Sequence, residues 1–144
     1  MSLMTAIEVS ASGLTAQRRR LEVLMSNLAN ANTTQPAGKE VYRRKDVLFT
    51  TALPAQNFGT AFDEAMGAVA GVEVSQVVTD RSEPIRRYEP GHPNADKDGY
   101  VYYPNINALE EMVNILSATR SYEANLQAAN SAKDMAQKTL EILK

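Results

Sequence analysis

Residues 107–144 read NALEEMVNILSATRSYEANLQAANSAKDMAQKTLEILK, and this stretch decides the fold. It contains no Gly and no Pro, and it is rich in Ala, Leu, Met, Glu, Gln and Lys, which are strong helix formers. Its apolar residues recur at intervals of three or four and therefore share one face of a helix. The residues of that face are Ile115, Ala118, Tyr122, Leu126, Ala129, Ala132, Ala136, Leu140 and Leu143.

The start of this helix is also marked in the sequence. Pro104 disfavours helix just before it, Asn107 has a side chain that caps helices, and Glu110 follows three residues later. At about 1.5 Å per residue the helix would be roughly 55 Å long. Because a single domain of this size does not need so long a helix, we expect it to pack along a second long helix.

The second helix is predicted at the start of the chain, from Ser2 to about Ala31. Four apolar residues follow one another at a strict interval of seven, namely Ile7, Leu14, Leu21 and Leu28. A heptad repeat of this kind is typical of a coiled-coil seam. We expect these residues to meet a seam on the C-terminal helix formed by Ile115, Tyr122, Leu126, Ala129, Ala136 and Leu140. Gly13 interrupts the pattern, which predicts close approach of another backbone, since Gly costs about 1 kcal/mol in a helix.

The middle of the chain has the character of short strands. Val41–Thr50 is predicted as one strand and residues 72–79 as another, with residues 85–88 as the return strand of a hairpin. Tyr100–Tyr103 is predicted as a short aromatic strand. Residues 51–70 fit a short helix or a mobile insert equally well. The predicted fold is mainly α with a small β insert: an N-terminal helix at 1–31, a β-rich insert at 32–106 and a C-terminal helix at 107–144.

Composition limits the possible functions. The 144 residues suit one domain, 44% of them are hydrophobic, and the net charge of −2 gives no field that would attract nucleic acid. The chain has no Cys, which excludes disulfides and thiolate metal sites. Residues 1–8 lack the basic and apolar regions of a cleaved signal peptide, and no apolar run is long enough to insert into a membrane.

Two loop features of the sequence resemble chemical sites. Residues 94–99 resemble the opening of a calcium-binding loop, but Asn105 stands where a bidentate Glu is required. A turn held by side-chain-to-backbone hydrogen bonds is the better interpretation. His92 is the only His, and no nucleophile motif lies near it. We therefore expect no enzyme activity, no metal and no cofactor.

Clustered arginines and tyrosines are candidate binding groups. Arg18, Arg19 and Arg20 form a short basic run, which indicates either a solvated helix face or charge pairing with a neighbouring subunit. The sequence also contains four tyrosines in the predicted strands at 85–88 and 100–103 that could stack bases: Tyr88, Tyr100, Tyr102 and Tyr103. Because no basic groove is interleaved with them, we expect core or interface packing instead.

Several of these stretches together resemble one family. Ser26–Thr34 followed by Tyr42–Lys45 is similar to the N-terminal signature of bacterial flagellar rod proteins. Residues 88–100, 103–105, 110–113 and 117–125 resemble the proximal-rod members of that axial protein family. The resemblance covers roughly residues 1–50 and 71–144, and residues 51–70 match nothing that we can place.

The resemblance implies a structural subunit of the flagellar basal body, without catalytic activity. Such proteins are exported without a cleaved signal peptide and form a helical rod that crosses the periplasm. Their terminal helices pair on assembly, and their partners are copies of themselves, other rod proteins and ring or adaptor proteins of the basal body. The main alternative is a soluble helical-hairpin adaptor or export chaperone. An enzyme built around His92 and Asp96 is a third reading.

Overall fold

A computed structural model describes residues 3–36, 38–52 and 70–142. One long helix lies in the N-terminal part of these residues and another in the C-terminal part. Helix α1 spans Leu3–Asn30 and helix α2 spans Ala108–Ile142. The order of helix, β-rich middle and helix is therefore confirmed. Residues 53–69, and with them most of the ambiguous stretch, lie outside the described residues.

Helix α2 begins where its capping residue predicts. The backbone N–H of Leu109 donates to Oδ1 of Asn107 at 3.1 Å, and this bond satisfies one of the N–H groups that the first turn leaves free. Glu110 and Glu111 lie in that first turn, where a negative charge suits the helix dipole. Glu110 is exposed, whereas Glu111 is buried.

The two helices lie side by side and run in opposite directions. Asn27 of α1 contacts Glu111 of α2, and Gly13 of α1 lies against Asn125 of α2. Fourteen residues separate these contacts on each helix, so the helices advance in step. A Cβ atom at Gly13 would lie 2.8 Å from Nδ2 of Asn125. The close approach predicted at Gly13 therefore exists, but its partner is a side-chain amide and not a backbone.

In the described residues between the two helices, four strands form two separate antiparallel pairs. Strands β1 (Lys45–Ala52) and β2 (Gly71–Thr79) pair with each other, with an irregularity between Leu48 and Phe49. Strands β3 (Ile85–Tyr88) and β4 (Tyr100–Tyr103) form the second pair.

The predicted hairpin between residues 72–79 and residues 85–88 is wrong. The backbone N–H of Asp80 donates to the carbonyl of Arg44 at 2.8 Å, which extends the pairing of β2 with β1. Residues 85–88 instead pair with the aromatic strand Tyr100–Tyr103, which was predicted as a strand but not as their partner. The short separation in sequence favours pairing of residues 85–88 with residues 72–79. The turn held by Asp96 instead brings residues 100–103 against residues 85–88.

The first strand begins later than predicted. Residues 41–44 are not part of β1, which starts at Lys45. The reason is that these residues contact the helices: Val41 is buried, and the side chains of Tyr42 and Arg44 bond to Asn27 and Glu111.

The core is built mainly from small aliphatic side chains, in keeping with an aromatic content of only 6%. Among the described residues, the buried hydrophobic ones are Ala16, Val23, Leu24, Ala31, Val41, Val47, Val101, Ala118 and Ala132. Ala on facing helices allows the close approach on which this packing depends.

Candidate assembly interface

The predicted seam residues line the sides of the helix pair and are not its most buried positions. On α1 the four heptad residues Ile7, Leu14, Leu21 and Leu28 are all half-buried. On α2 the half-buried residues are Ile115, Tyr122, Ala129 and Ala136, whereas Leu126 and Leu140 are 44% and 66% exposed. The heptad seam therefore stays a prediction, because contact between two helices does not by itself establish a coiled coil.

A buried amide joins α1 to the start of the first strand. Asn27 is 0% exposed, and its Nδ2 donates to the carbonyl oxygen of Lys45 at 2.7 Å. The backbone N–H of Lys45 donates to Oδ1 of Asn27 at 3.0 Å, and the hydroxyl of Tyr42 donates to the same oxygen at 3.0 Å. The amide thus uses both its donor and its acceptor, as a buried polar group must.

The same amide also contacts a buried carboxylate. Nδ2 of Asn27 donates to Oε2 of Glu111 at 3.1 Å, and Nε of Arg44 donates to Oε1 of Glu111 at 2.7 Å. Glu111 is 1% exposed, and the side chain of Arg44 is 25% exposed. The hydrogen bond to Glu111 raises the pKa of Arg44 above its already high ordinary value. Helix α1, helix α2 and the chain at the start of β1 therefore meet at one ion pair, in which Arg44 neutralises Glu111.

A second tether joins α1 to the start of β2. The backbone N–H of Val72 donates to Oγ of Ser12 at 3.0 Å, and the Ser12 hydroxyl donates to the carbonyl of Val9 at 2.7 Å. A Cβ atom at Gly71 would lie 2.7 Å from Oγ of Ser12, so this contact requires a glycine or a displaced hydroxyl. Both strands of the first hairpin are therefore anchored on α1.

The loop considered for calcium is a turn that closes the second hairpin. Oδ1 of Asp96 accepts hydrogen bonds from the backbone N–H groups of Asp98 and Tyr100 at 2.9 and 2.8 Å. This is the side-chain-to-backbone turn that the sequence predicts. Nδ1 of His92 accepts a bond from the backbone N–H of Asn94 at 3.1 Å. Across residues 3–36, 38–52 and 70–142, no three His, Asp or Glu side chains are grouped to hold a metal ion.

The tyrosines of the second hairpin pack against each other and against arginines. The rings of Tyr88 and Tyr100 meet edge to face, with centroids 5.4 Å apart. The guanidinium of Arg87 lies 4.9 Å from the ring centroid of Tyr103, and the Tyr103 hydroxyl donates to Glu89 at 2.9 Å. These contacts are local packing at the surface, because Tyr88 is 65% exposed and Tyr102 is 38% exposed. Core packing is therefore wrong for these two residues, and interface packing stays a prediction.

The arginine run pairs within its own helix. Arg18 and Arg19 both contact Glu22, at 3.4 and 3.0 Å, and their side chains are 76% and 57% exposed. Exposed pairs of this kind contribute about 0–1 kcal/mol. The two guanidinium groups therefore remain available to a neighbouring subunit.

An apolar stripe runs along the outer side of α2. It consists of Leu109, Met112, Val113 and Leu116, which are 49–71% exposed and recur at i, i+3, i+4 and i+7. With 3.6 residues per turn the stripe lies roughly 180° from Glu111 and Ala118, the buried face of the same helix. We call these four residues the α2 outer stripe. A helix that is apolar on both faces is normally enclosed between two neighbours.

A groove lies between α1 and the first hairpin, with a volume of about 490 Å³. Thr15 and Ala16 of α1 line one side, Ala52, Val72 and Val74 line the other, and Arg19 stands at its edge. We call this the α1–β2 groove. A second cavity of about 300 Å³ continues from Arg19 toward Lys45.

In the described part of the chain, neither helix is long and apolar enough to cross a bilayer.

Sequence reasoning missed the three residues that hold the fold together. All three lie in the stretches that carry the family resemblance, but the sequence indicates only a helix-dipole role for Glu111 and no role for Asn27 or Arg44. The available signal was a neutral amide, Asn27, between the apolar residues Leu24 and Leu28 on a helix. A polar group among core positions indicates a buried partner.

Comparison with known proteins gives matches at both ends of the chain. Residues 7–36 match the family described as Flagella basal body rod protein, and residues 97–142 match Flagellar basal body rod FlgEFG protein C-terminal. The chain is 43% identical to the flagellar basal-body rod protein FlgC of Bacillus subtilis, over 99% of both chains. It is 40% identical to FlgC of Salmonella typhimurium, over 99% of this chain and 98% of the relative. Identity to FlgC of Borreliella burgdorferi is 38%, over 99% of both.

Proposed function

This chain belongs to the FlgC family of flagellar basal-body rod proteins, and we propose that it is a structural subunit of the bacterial flagellar rod. The observation that carries the proposal is the similarity to relatives of that name over 99% of the chain. The two matched regions contain nearly all of α1 and all of α2. The parts of the chain that match the family are thus largely the two helices.

Assembly through the terminal helices is the mechanism that we favour. The helices pack in antiparallel fashion over fourteen residues or more, and they leave large apolar side chains exposed on α2. Burial of a fully exposed Leu or Val contributes about 1.5–3 kcal/mol, so neighbours that cover these residues would stabilise the subunit. The predicted coiled-coil seam, from Ile7 to Leu28 and from Ile115 to Leu140, would form within this packing.

The partners follow from the same proposal. They are other rod proteins, ring or adaptor proteins of the basal body, and further copies of this chain. A repeated contact between two different surfaces of one chain generates an open helical polymer, which suits a rod. The net charge of −2 gives no support to nucleic-acid binding. We propose no catalytic step and no insertion into the membrane.

The location implied by the family is the rod where it crosses the periplasm, reached by export without a cleaved signal peptide. The alternative of a helical-hairpin adaptor or export chaperone predicts a discrete monomer or dimer in the cytoplasm. None of the relatives named above is described as an adaptor or a chaperone.

Purified basal bodies test the proposal. In a strain that carries a tagged copy in place of the native one, the chain should co-purify with intact basal bodies, and its deletion should abolish both the rod and motility. A tagged chain that complements motility but stays entirely in the cytoplasmic fraction would contradict a structural role.

A further inference from the structure

We infer that the α2 outer stripe of one copy docks in the α1–β2 groove of a second copy. This inference rests on the proposed function, because it names the surfaces through which copies of a rod subunit would meet. The stripe presents Leu109, Met112, Val113 and Leu116 to solvent on α2. The groove is a separate surface, on α1 and the first hairpin.

The two surfaces cannot meet within one chain. The stripe faces away from α1, because the opposite side of α2 carries Glu111, which bonds to Asn27 of α1. The groove opens between α1 and β2, where Ser12 holds the backbone of Val72. The stripe can therefore meet such a groove only on another molecule, and a second copy of this chain carries one.

The shapes and polarities of the two surfaces correspond. Residues spaced at i, i+3, i+4 and i+7 form a ridge, and a ridge of this kind packs into a groove. The walls of the groove are mainly apolar, from Ala16, Ala52, Val72 and Val74. Its volume of about 490 Å³ leaves room for several side chains of the ridge.

The charges along the two surfaces are complementary in position. Exposed acids stand beside and beyond the stripe, at Glu110 and Glu123, and exposed cations stand at the groove, at Arg18 and Arg19. Arg120 is the cation on the stripe side, and Glu73 in the groove is its candidate partner, because Glu22 already pairs with Arg18 and Arg19. Charges placed in this way fix the register of a contact more than its affinity.

The contact is heterologous, so it leaves a free stripe on one copy and a free groove on the other. Each added copy repeats the same step, and α1 becomes enclosed between its own α2 and the α2 of its neighbour. An interface of this type closes into a ring or continues as a helical array. Both outcomes agree with a subunit of a rod.

Cysteine cross-linking in the assembled structure tests the inference, since the chain has no Cys of its own. Two forms of the full chain are expressed together, one with Thr15→Cys in the groove and one with Leu116→Cys in the stripe, and basal bodies are isolated and oxidised. A disulfide between the two forms should exceed that of a control pair by about tenfold or more, because docking raises the effective concentration of the thiols. The control pairs Thr15→Cys with Ala128→Cys, an exposed position of α2 outside the stripe.

The possible results separate this inference from the proposed function. Isolated basal bodies that contain the chain but give no excess of the Thr15→Cys with Leu116→Cys product would overturn the inference and leave the rod assignment standing. A disulfide from Leu116→Cys to a different polypeptide in place of the product with Thr15→Cys would overturn it as well. So would a disulfide within one chain that carries both Thr15→Cys and Phe62→Cys, because the groove would then hold the chain's own residues 53–69.

A polar substitution gives an independent readout. Val113→Ser together with Leu116→Ser changes only exposed side chains, so the helix content by circular dichroism should remain that of the unaltered chain. Incorporation into basal bodies should fall about tenfold, because the docking ridge loses its apolar groups. Normal incorporation with an intact fold would contradict the inference.

Discussion

Asn27 takes the place of a neighbouring strand for Lys45. Its side-chain amide donates to the carbonyl of Lys45 at 2.7 Å and accepts from the N–H of Lys45 at 3.0 Å, which is the paired pattern of an antiparallel sheet. The other edge of this strand pairs with β2, where Asp80 bonds to the carbonyl of Arg44. A single helical side chain therefore covers the edge of the first hairpin and orients it on α1.

Asn27→Asp should destabilise the chain strongly. The new carboxylate would lie within about 3 Å of Glu111 in a buried site, and it would lose the amide donor to Lys45. We expect a loss of about 3 kcal/mol or more in the free energy of unfolding, measured in urea. Asn32→Asp, at an exposed position after α1, is the matched control and should change stability little. Equal stability of both variants would show that the amide does not hold the fold.

Arg44→Met should also destabilise the chain, because it leaves the carboxylate of Glu111 buried without its cation. The expected loss is about 3 kcal/mol, at the low end for buried pairs because Arg44 is partly exposed. Arg43→Met is the control, since Arg43 pairs with the exposed Glu40 and should lose less than about 1 kcal/mol. Adding Glu111→Gln to Arg44→Met should recover part of the loss. A double variant as unstable as the sum of the two single variants would contradict this coupling.

Gly13→Ala should stabilise the chain by less than the difference in helix propensity between Ala and Gly alone would give. Alanine gains about 1 kcal/mol over glycine inside a helix. The new methyl group would lie 2.8 Å from Nδ2 of Asn125, so the amide must move. Thermal unfolding of Gly13→Ala in the unaltered chain and in an Asn125→Ala background measures the difference. The same gain in both backgrounds would mean that Asn125 gives way without cost.

The pKa of the Asp80 carboxyl should lie below the ordinary value for Asp. The hydroxyl and then the backbone N–H of Ser82 lower the pKa of Asp80 from its ordinary value of 3.8. Because the pKa is lower in the folded state, this carboxylate stabilises the fold above pH 3.8, the ordinary pKa. The stabilisation is lost as the pH falls through the folded-state pKa. Ser82→Ala should therefore move the pKa of Asp80 upward, as followed by NMR. Ser75→Ala is the control, and an unmoved pKa in Ser82→Ala would contradict the assignment.

The helices were predictable because their signals are local. The capping side chain of Asn107 and the apolar spacing after it depend only on residues within one or two turns. The partners of the strands were not predictable, because the choice between residues 85–88 and residues 45–52 for β2 depends on distant contacts. Asn27 and Ser12 on α1 hold β1 and β2, and neither carries a strand signal of its own, while the turn around Asp96 brings β4 against β3.

The candidate site was predictable only in outline. The heptad leucines Leu14 and Leu21 predict that α1 packs along another helix, but not the depth of burial of each residue, and their place in an assembly seam stays a prediction. Burial of Glu111 could not be read from the sequence, since the adjacent Glu110 has the same chemistry and is exposed. The difference comes from Arg44 and Asn27, which reach Glu111 only when the chain is folded.

The bond between Asn27 and Glu111 joins residues that are 84 positions apart, and this separation governs how the molecule folds. Closing a loop of that length costs roughly 4 kcal/mol of chain entropy before any contact between the helices forms. The turns around Asp96 and the pairing of β3 with β4 are far more local and are expected to form earlier. We therefore expect the meeting of the two ends to be the slow event in folding. Destabilising substitutions at Asn27 or Glu111 should then slow overall folding and leave the formation of the second hairpin unchanged.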